Sequence, residues 1–580
     1  MPKSLVIVES PAKARTIAGF LGPEFIVESS IGHIRDLPNG ASEVPKAYKA
    51  EHWARLGVDV DNDFKPLYVV RGRAKEQVKH LKSLLREADE LYLATDEDRE
   101  GEAIAWHLLE VLSPTVPVKR MVFHEITERA IREAIDSPRE LDRRLVDAQE
   151  ARRIFDRLYG YEVSPVMWKK VRPRLSAGRV QSVANRLIVE RERERIAFIA
   201  AAYSSIEADF VADIAFSGTL ATVEGRRLAT GRDFDDNGRL TREEAVVLDA
   251  ISAEQLAADL ANRPFTVQSV DAKPYRRRPA PPFITSTLQQ EAGRRFGFSA
   301  SRTMQAAQRL YENGHITYMR TDSTTLSADA LSTARALIKE RYGPQTLPGD
   351  ARTYSKKVKN AQEAHEAIRP AGQVWKSPEQ LAEEVTGDAT RLYELIWRRT
   401  IASQMIDATG QTVTIRLEGS TTDERDVEFT SSGTVITQPG FRLAYVQAED
   451  DDEEPQLPNL SEGDAVSCAK VTARDHDTSP PARYTEATLV RRLEELGVGR
   501  PSTYASIMET IQARGYVWKK GSALVPELTA FATVGLMEGH FSHLVDYALT
   551  ARMEDDLDEI ANGEIDAAPW LAEFYFGGLE

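Results

Sequence analysis

The chain begins with a short apolar run that ends in an acidic residue. Residues 5–8 (LVIV) are all apolar and mostly β-branched, which is typical of a strand buried on both faces of a parallel sheet. Ser10 is a good helix N-cap and Pro11 a good first helical residue, so a helix carrying Lys13 in its opening turn is predicted. Because open α/β sheets bind ligands beyond the carboxyl ends of their strands, Glu9 is expected at a functional crevice.

A second apolar run leads into an acidic segment. Residues 91–94 (LYLA) predict another strand, residues 95–102 (TDEDREGE) an extended loop, and residues 103–112 (AIAWHLLEVL) a helix. Together with the first strand, this pattern predicts one α/β domain over residues 1–142.

The remaining pattern divides the chain further. Residues 143–198 are helical and basic, whereas residues 200–270 and 400–475 alternate apolar and polar positions, as antiparallel strands do. We therefore expect a helical domain from 143–200 with 477–580, and a β-rich domain built from the separated segments 201–270 and 400–476. Residues 271–399 form the remaining predicted domain.

Two stretches of the chain have similar residues at matching positions. In each, a Thr-Leu pair is followed 26 residues after the leucine by a glycine (288 to 314 and 489 to 515), with a helix before the glycine and an apolar strand, HITYM or YVWKK, after it. Two related helix-rich units with a short β element are predicted, similar to winged-helix units. The paired positions are Leu288 with Leu489, Ser301 with Ser502, Gly314 with Gly515, and Tyr318 with Lys519.

Charge is unevenly distributed along the chain. The net charge of −16 argues against a partner with dense negative charge, yet residues 151–186 hold nine Arg or Lys against two acids. That segment can follow a phosphate backbone, although solvated surface is the alternative for any such run. The single cysteine, Cys468, excludes an internal disulfide and a cysteine-based zinc site within this chain, so a buried structural thiol is expected.

Three carboxylates spaced by two follow the second strand. Asp96, Asp98 and Glu100 in an extended loop would present their side chains to one side, and Glu9 ends another strand of the same predicted sheet. Mg²⁺ prefers oxygen ligands and keeps several waters, so two carboxylates and a phosphate suffice to bind it. A solvated loop is the alternative for the acidic pair alone, whereas both strand ends together favour metal-assisted phosphate chemistry.

The segment HITYMRTDS holds a candidate nucleophile. On an extended backbone, Tyr318 and Arg320 share one face, so the guanidinium could sit over a phosphate that the phenolate attacks. A phenol with a pKa of about 10 needs help from cations or a base. The alternative is a buried strand tyrosine beside a surface arginine.

Two histidines and an absent motif complete the candidates. His365 and Arg369 stand at helical i, i+4 spacing and could face one cleft, and a helix-end structural histidine is the alternative; His33 is equally ambiguous. The phosphate-binding pattern GxxxxGK[ST] does not occur in the sequence, so a nucleotide cofactor is not expected. An enzyme that rejoins phosphodiesters must then conserve the bond energy, as a covalent phosphotyrosine does.

Taken together, these motifs resemble the type IA family of bacterial DNA topoisomerases, in an actinobacterial-like form without four-cysteine zinc modules in this chain. They occur in family order along nearly the whole chain. The stretches are LVIVESPAKA, SIGHIRDLP, LYLATDEDREGEAIAWHL, RMVFHEIT, ARRIFDRLYGYEVSPVMWKKV, LSAGRVQSVA, PPFITSTLQQEA, HITYMRTDS, AQEAHEAIRP, GVGRPSTYASI and TARMEDDLDEIANGE.

The resemblance implies a multidomain fold of α/β, α and β parts. Residues 1–142 would be a Mg²⁺-binding Toprim domain, followed by a torus with winged-helix-like units and a β-rich arch. Residues 143–200 with 477–580 would bind DNA, and residues 271–399 would carry the nucleophile.

The same resemblance assigns roles to individual residues. Tyr318 would be the nucleophile, Lys13 the proton donor beside Glu9, Arg320 the phosphate-stabilising cation, and His365 a supporting hydrogen-bond partner. Glu9, Asp96, Asp98 and Glu100 would hold Mg²⁺. The implied DNA-binding residues are His33, Arg153, Arg157, Tyr161, Lys169, Ser176, Gly178, Arg179, Gln181 and Arg500.

The implied activity is the relaxation of negatively supercoiled DNA by transient single-strand cleavage, strand passage and religation, dependent on Mg²⁺ and independent of ATP. We expect a cytoplasmic, nucleoid-associated monomer that binds single-stranded DNA and no membrane. Two alternatives stay open. A Toprim-type nuclease or primase-like enzyme leaves Tyr318 unused, and a non-catalytic ring-shaped DNA-binding module leaves the acidic cluster unexplained.

Overall fold

The structure is a computed structural model of the full chain, and it describes residues 3–354, 366–445 and 457–579. The described residues form one parallel sheet in the N-terminal part, one large antiparallel sheet, and two short antiparallel strand pairs. The strands are β1 (Ser4–Val8), β2 (Phe25–Ser29), β3 (Val58–Asp59), β4 (Lys65–Pro66), β5 (Glu90–Leu93), β6 (Val118–Arg120), β7 (Ala202–Val211), β8 (Ala215–Val223), β9 (Arg226–Arg227), β10 (Pro264–Arg277), β11 (Ala408–Ser420), β12 (Asp426–Gln438), β13 (Ala465–Asp477), β14 (Val517–Lys520) and β15 (Ala523–Pro526).

Helices make up a large share of the remaining described residues. They are α1 (Pro11–Ala18), α2 (Gly72–Leu85), α3 (Arg99–Leu112), α4 (Glu128–Asp136), α5 (Arg143–Lys170), α6 (Arg179–Ala197), α7 (Ala250–Leu260), α8 (Thr285–Phe296), α9 (Ala300–Glu312), α10 (Ala328–Tyr342), α11 (Pro378–Ala382), α12 (Asp388–Ser403), α13 (Glu486–Glu495), α14 (Tyr504–Ala513), α15 (Leu528–His540), α16 (Tyr547–Asn562) and α17 (Ala567–Phe574). Within the described ranges, no helix combines the length and apolar character needed to cross a membrane.

The N-terminal part is the predicted α/β unit. Its four strands are all parallel in the order β2–β1–β5–β6, and every residue of β1 is buried. The Ser10 hydroxyl accepts the Lys13 backbone N–H at 3.2 Å, and α1 begins at Pro11. The strand and the cap predicted from the first residues are therefore confirmed, and both β1 and β5 end at the same edge of the sheet.

The separated β-rich segments meet in one antiparallel sheet, as the alternation predicts. Its order is β12–β11–β10–β13–β7–β8–β9, and β12 also pairs with β8, so the sheet curls back on itself. Phe210, Phe265 and Phe429 interlock edge to face in its core, with ring centroids 5.3–5.5 Å apart. Cys468 is a buried free thiol of this layer, and burial raises its pKa.

The two similar stretches noted in the sequence each form a helix pair, α8 with α9 and α13 with α14. The pairs pack on each other through α8 and α13. Gly314 and Gly515 both take left-handed backbone angles, with φ of +77° and +69°, after α9 and α14 respectively. The strand predicted for YVWKK is confirmed as β14, which pairs with β15.

The strand predicted for HITYM is wrong. That segment makes only an isolated bridge between Ile316 and Pro370, because its backbone bonds to two different neighbours. The Thr317 N–H donates to the Arg369 carbonyl at 2.9 Å, and the Tyr318 N–H donates to the His124 carbonyl at 2.8 Å. The irregular segment therefore ties the second half of the chain to the α/β unit.

The helix predicted around Arg369 is also absent at that residue. Ile368 bridges to Phe283 and Pro370 bridges to Ile316, so Arg369 lies between two bridges. Its guanidinium pairs with Glu366 and, at 3.0 Å, with Glu125 of the α/β unit. His365, its predicted helical partner, lies outside the described residues.

Candidate active site

A buried lysine joins the two strand ends. Lys13 Nζ donates to Glu9 Oε1 at 2.9 Å and Oε2 at 3.2 Å, and to Asp96 Oδ1 at 2.9 Å. The Lys13 side chain is 0% exposed and its ammonium lies 4.8 Å from the centroid of the Phe123 ring. The tertiary structure thus brings together three of the residues that the sequence indicated.

This cluster holds more negative charge than one ammonium neutralises. Burial and the negative charge of Asp96 raise the pKa of Glu9 to about 8, even though Lys13 opposes the shift. Burial alone lowers the pKa of Lys13, but the charges of Asp96 and Glu9 outweigh it and hold that pKa above its ordinary value. At neutral pH, Lys13 and Glu9 therefore each carry a proton.

The candidate nucleophile reaches the same cluster from the other half of the chain. The Tyr318 hydroxyl donates to Asp98 Oδ2 at 2.6 Å, and Arg320 Nη1 lies 3.4 Å from the same oxygen. The Tyr318 ring packs edge to face on Tyr311 at 5.2 Å. Tyr318 and Arg320 do converge on one point, although the segment that carries them is not a strand.

The electrostatic surroundings keep the Tyr318 phenol protonated. Burial and the charges of Asp98 and Asp96 raise its pKa well above the ordinary value, and Arg320 only partly opposes them. The hydroxyl is thus held as a hydrogen-bond donor to a carboxylate. A cation bound beside Asp96 and Asp98 would offset their negative charge and so lower the pKa of the Tyr318 phenol.

The acidic motif departs from the predicted extended loop. Asp98 is the N-cap of α3 and accepts the Gly101 N–H at 2.8 Å, so the helix begins four residues earlier than predicted, at Arg99 instead of Ala103. Glu100 consequently lies in the first helical turn. An acid is a good N-cap, and tertiary packing of the following turn allows the helix to start there.

Glu100 faces a different neighbour from the other acids. His33 Nε2 lies 3.5 Å from Glu100 Oε2, and the Gln149 amide donates to the same oxygen at 3.2 Å. Burial by itself raises the pKa of Glu100, but the hydrogen bond and charge of His33 outweigh it and lower that pKa to about 2. His33 thus joins the rim of the acidic cluster.

Several supporting residues escaped the sequence analysis. Arg120 is buried and donates to the carbonyls of Leu93, Thr95 and Asp96, which holds the loop that carries the acids. Glu97 is buried beside Asp96 and pairs with His124. The RMVFHEIT stretch contains both basic partners, but without the fold nothing tied it to the acidic loop.

The donor set fits a divalent cation in its chemistry. Glu9, Asp96, Asp98 and Glu100 offer only carboxylate oxygens, the ligands that Mg²⁺ prefers. The raised pKa of Glu9 is the structural sign that a further positive charge would be stabilised here. In the described part of the chain, no three acidic, histidine or cysteine side chains already stand in a metal-holding arrangement. Lys13 bonds to both Glu9 and Asp96.

Glu9 is expected to make the metal-free protein less stable as the pH rises. Its carboxyl titrates near 4.5 when unfolded and near 8 when folded, so between these values the folded state holds a proton that the unfolded state releases. The stabilising contribution is complete below about 4.5 and is lost as the pH approaches 8. Thermal melting in EDTA should therefore show a smaller loss with rising pH for Glu9→Gln than for wild type.

The matched control for that measurement is Glu87→Gln, an exposed position of the same α/β unit. It should retain the wild-type pH dependence. An unchanged pH dependence in Glu9→Gln would show that Glu9 is ionised in the folded protein at neutral pH.

A second group of predicted residues meets away from the acids. Arg153 makes a two-pronged ion pair with Asp36, with both N–O distances at 2.9 Å. Arg157 donates to the Pro38 carbonyl at 2.6 Å and stacks over the Tyr161 ring at 4.3 Å. Arg153 and Asp36 therefore line one cavity, and on the same helix the buried Arg157 stacks on Tyr161, which gives an aromatic face backed by a cation.

The other predicted DNA-binding residues are distributed unevenly. Lys169 is exposed near the end of α5, and Gly178 is the N-cap of α6. The Gln181 amide donates to the Ser176 hydroxyl at 3.2 Å and also bonds to its carbonyl, so both belong to the same turn. Arg179, by contrast, is buried and paired with Glu554 at 2.5 Å, so the structure does not place it as a direct surface contact.

One cleft lies beside Arg320, which contacts the same Asp98 oxygen as the candidate nucleophile. Its lining includes Asp98, Glu100, Arg320 and Arg500 together with Arg99 and Arg152. A neighbouring cavity extends it past His33 to Arg153. Together the two cavities run from Arg153 to Arg320, which lies beside the Tyr318–Asp98 hydrogen bond.

Comparisons with known proteins agree with this geometry. A family model described as DNA topoisomerase matches residues 140–572, and one described as Toprim domain matches residues 4–126. The chain is 61% identical to "DNA topoisomerase 1" of Streptomyces coelicolor over 99% of its length and 62% of that protein, and 60% identical to the Mycolicibacterium smegmatis protein of that name, over 99% and 63%. It thus spans less than two thirds of the length of these curated relatives.

A solved structure shows the same fold. Full-length topoisomerase I from Thermotoga maritima aligns with a TM-score of 0.81 and 35% identity, covering 99% of this chain and 90% of that one. The Toprim domain is a metal-binding domain, which agrees with the acidic cluster at the sheet edge. The chain therefore belongs to the type IA family of bacterial DNA topoisomerases, with a Toprim domain ahead of the topoisomerase region.

Proposed function

We propose that this chain cleaves and rejoins one DNA strand through a transient bond to Tyr318 and so relaxes negatively supercoiled DNA without ATP. The observation that carries the proposal is the 2.6 Å hydrogen bond from the Tyr318 hydroxyl to Asp98, a residue 220 positions earlier. Packing alone does not explain why a buried tyrosine contacts a carboxylate of the Toprim domain. A nucleophile that attacks a phosphate bound at that site would lie there.

Cleavage exchanges one oxygen on phosphorus for another. The Tyr318 oxygen bonds to the phosphorus of the scissile phosphodiester, its proton passes toward Asp98, and the bond from phosphorus to the 3′ oxygen breaks. The 3′ oxygen takes a proton from the Lys13–Glu9 pair, in which both groups are protonated at neutral pH. The products are a 5′-phosphotyrosine and a 3′ hydroxyl, and the reverse exchange rejoins the strand.

Two features favour exchange over hydrolysis. Lys13 and Tyr318 are buried, so bulk water is kept from the reacting groups. Arg320, in contact with Asp98 beside Tyr318, would stabilise charge on the phosphate. His365 remains a predicted supporting residue outside the described part of the chain.

Mg²⁺ is the proposed metal. Asp96, Asp98 and Glu100, with Glu9 beside them, would hold it, and it would supply positive charge that positions the cut ends for religation. The all-oxygen donor set and the raised pKa of Glu9 support this assignment.

The proposed substrate path begins at Tyr161 and Arg157, passes Arg153 and follows the cleft to Arg320, beside Tyr318. An arginine-backed aromatic face is suited to hold an unstacked base, and Lys169 adds backbone attraction. We further propose the four-part division into 1–142, 143–200 with 477–580, 201–270 with 400–476, and 271–399, with strand passage through the space that they enclose.

Covalent trapping tests the proposal. Single-stranded oligonucleotides labelled at either end are incubated with the protein and Mg²⁺ and then denatured. Protein attached to the 5′ end of the downstream fragment is expected. Free ends at both sides of the cut would instead establish a nuclease, and binding without any cut would establish a non-catalytic module.

Asp98→Asn is expected to slow both cleavage and religation and to raise the Mg²⁺ requirement. The amide keeps the side chain's shape but removes a charge beside Tyr318, so the concentration of Mg²⁺ for half-maximal plasmid relaxation should rise about tenfold or more. Asp136→Asn, at an exposed position of α4, is the matched control. A wild-type Mg²⁺ titration for Asp98→Asn would remove Asp98 from the proposed metal ligands.

A further inference from the structure

Helix α16 carries two buried acids that the proposed chemistry does not use. Glu554 and Asp558 stand one helical turn apart, so they share a face, and their side chains are 0% and 3% exposed. Buried carboxylates are costly unless they are paired. Their partners therefore indicate what they do.

The ion pairs of these two acids are made with arginines from three different parts of the chain. Glu554 Oε1 pairs with Arg179 Nη1 at 2.5 Å. Asp558 pairs with Arg99 through one oxygen and with Arg500 Nη2 at 2.9 Å through the other. Arg99 is the first residue of α3, directly after Asp98, and Arg500 precedes α14.

Two of these arginines line the cleft beside the nucleophile. Arg99 and Arg500 share it with Arg152 and Arg320, so four guanidiniums crowd one region. Burial alone raises the pKa of Glu554, but the charges of Arg179, Arg152 and Arg500 outweigh it and lower that pKa to about 2. The Glu554 carboxylate is thus ionised at neutral pH, as required of a counter-charge.

We infer that Glu554 and Asp558 are positioning residues. They hold Arg99 and Arg500 in the orientation that binds a backbone phosphate adjacent to the scissile phosphate of the DNA. The inference rests on the proposed function. Asp558 acts through its ion pairs with these two arginines. Glu554 acts through its ion pair with Arg179 and through the attraction of its negative charge for Arg500.

Two properties exclude direct contact of these acids with DNA: their burial and their negative charge. Both carboxylates lie behind the arginines, and a negative group would repel a phosphate. Arg99 and Arg500, in contrast, line the cleft and carry the positive charge that attracts a phosphate. Since a guanidinium binds a phosphate with a planar fork, its orientation determines where the strand lies.

Positioning and plain electrostatics affect different quantities in Asp558→Asn, the cleavage rate and the affinity for DNA. Removing one negative charge makes the cleft more positive, which by itself strengthens DNA binding. Loss of the ion pairs frees Arg99 and Arg500 to reorient, and a displacement of about 1 Å can slow a reaction about 100-fold. The inference therefore requires slower cleavage without weaker binding.

The experiment measures single-turnover cleavage of an end-labelled single-stranded oligonucleotide at saturating full-length protein, and affinity by fluorescence anisotropy. Asp558→Asn should cut about 10- to 100-fold more slowly with equal or tighter binding. Asp558→Glu, which keeps the charge, should recover part of the rate. Asp556→Asn changes the same charge on the same helix at a residue that accepts the Trp570 indole N–H, and should stay within about twofold of wild type.

A single-turnover rate constant does not depend on the fraction of folded protein, so partial unfolding of a variant cannot imitate the expected result. A wild-type rate for Asp558→Asn, or equal slowing in Asp556→Asn, would overturn the inference. So would slowing accompanied by weaker binding. If wild type itself formed no 5′ adduct, the proposed function would fail instead, which is a different outcome.

Discussion

Replacing Tyr318 with phenylalanine is expected to abolish plasmid relaxation and the covalent DNA adduct while leaving single-strand affinity unchanged. The substitution removes one oxygen, the atom that donates to Asp98 at 2.6 Å, and keeps the ring that packs on Tyr311. Because no other group can form the phosphotyrosine, the loss should be roughly 10⁴-fold or more. Gel relaxation, denaturant trapping and anisotropy measure the three quantities.

Tyr342→Phe is the matched control for this variant. It makes the same change in α10, at a half-buried position of the same predicted domain, and should relax DNA at the wild-type rate. Residual cleavage by Tyr318→Phe with free DNA ends would show that water or another side chain is the nucleophile. The proposed mechanism would then be wrong, although membership of the family would stand.

Gly101→Ala is expected to have the second-largest effect, through the backbone of the acidic loop. A methyl group at Gly101 would lie 2.6 Å from the Asp96 carbonyl carbon and 2.8 Å from its nitrogen, closer than real contacts allow. The loop must therefore shift, and with it the Asp96 carboxylate that pairs with Lys13. A shift of about 1 Å predicts a loss of relaxation on the order of 100-fold.

The matched control is Gly535→Ala in α15, where an added methyl group meets nothing within 4 Å. Alanine at a compatible helical position stabilises by about 0.5–1 kcal/mol, so this variant should melt at or slightly above the wild-type temperature and keep full activity. Circular dichroism must show Gly101→Ala to be folded. Near-wild-type relaxation by a folded Gly101→Ala would show that the Asp96 loop tolerates displacement.

Local chemistry was enough to predict part of the fold. The apolar run of β1, the Ser10 cap and the alternating β-rich segments all have short-range causes, and each is confirmed. The prediction of a strand at HITYM failed because hydrogen bonds to His124 and Arg369, remote in sequence, replaced a regular ladder. The start of α3 was misplaced because Asp98, counted among loop residues, is its cap.

The sequence likewise predicted only some features of the candidate site. The sequence identified Glu9, Lys13, Asp96, Asp98 and Tyr318 as candidates, but not that Lys13 bridges two of the acids or that the Tyr318 hydroxyl meets Asp98. Arg120 and the acids of α16 lie in the stretches RMVFHEIT and TARMEDDLDEIANGE, but no role was predicted for them from the sequence. Arg179, predicted as a DNA contact, is instead buried against Glu554.

By itself, the sequence determined the family, the strand ends that bear the acids, and the residue types available for phosphate chemistry. These depend on side-chain identity and on spacing within about one helical turn or one strand. Only the tertiary structure decided which charges are buried together, and therefore which protons Glu9, Lys13 and Tyr318 retain. Ion pairs and desolvation depend on distances between groups hundreds of residues apart, which short-range patterns do not encode.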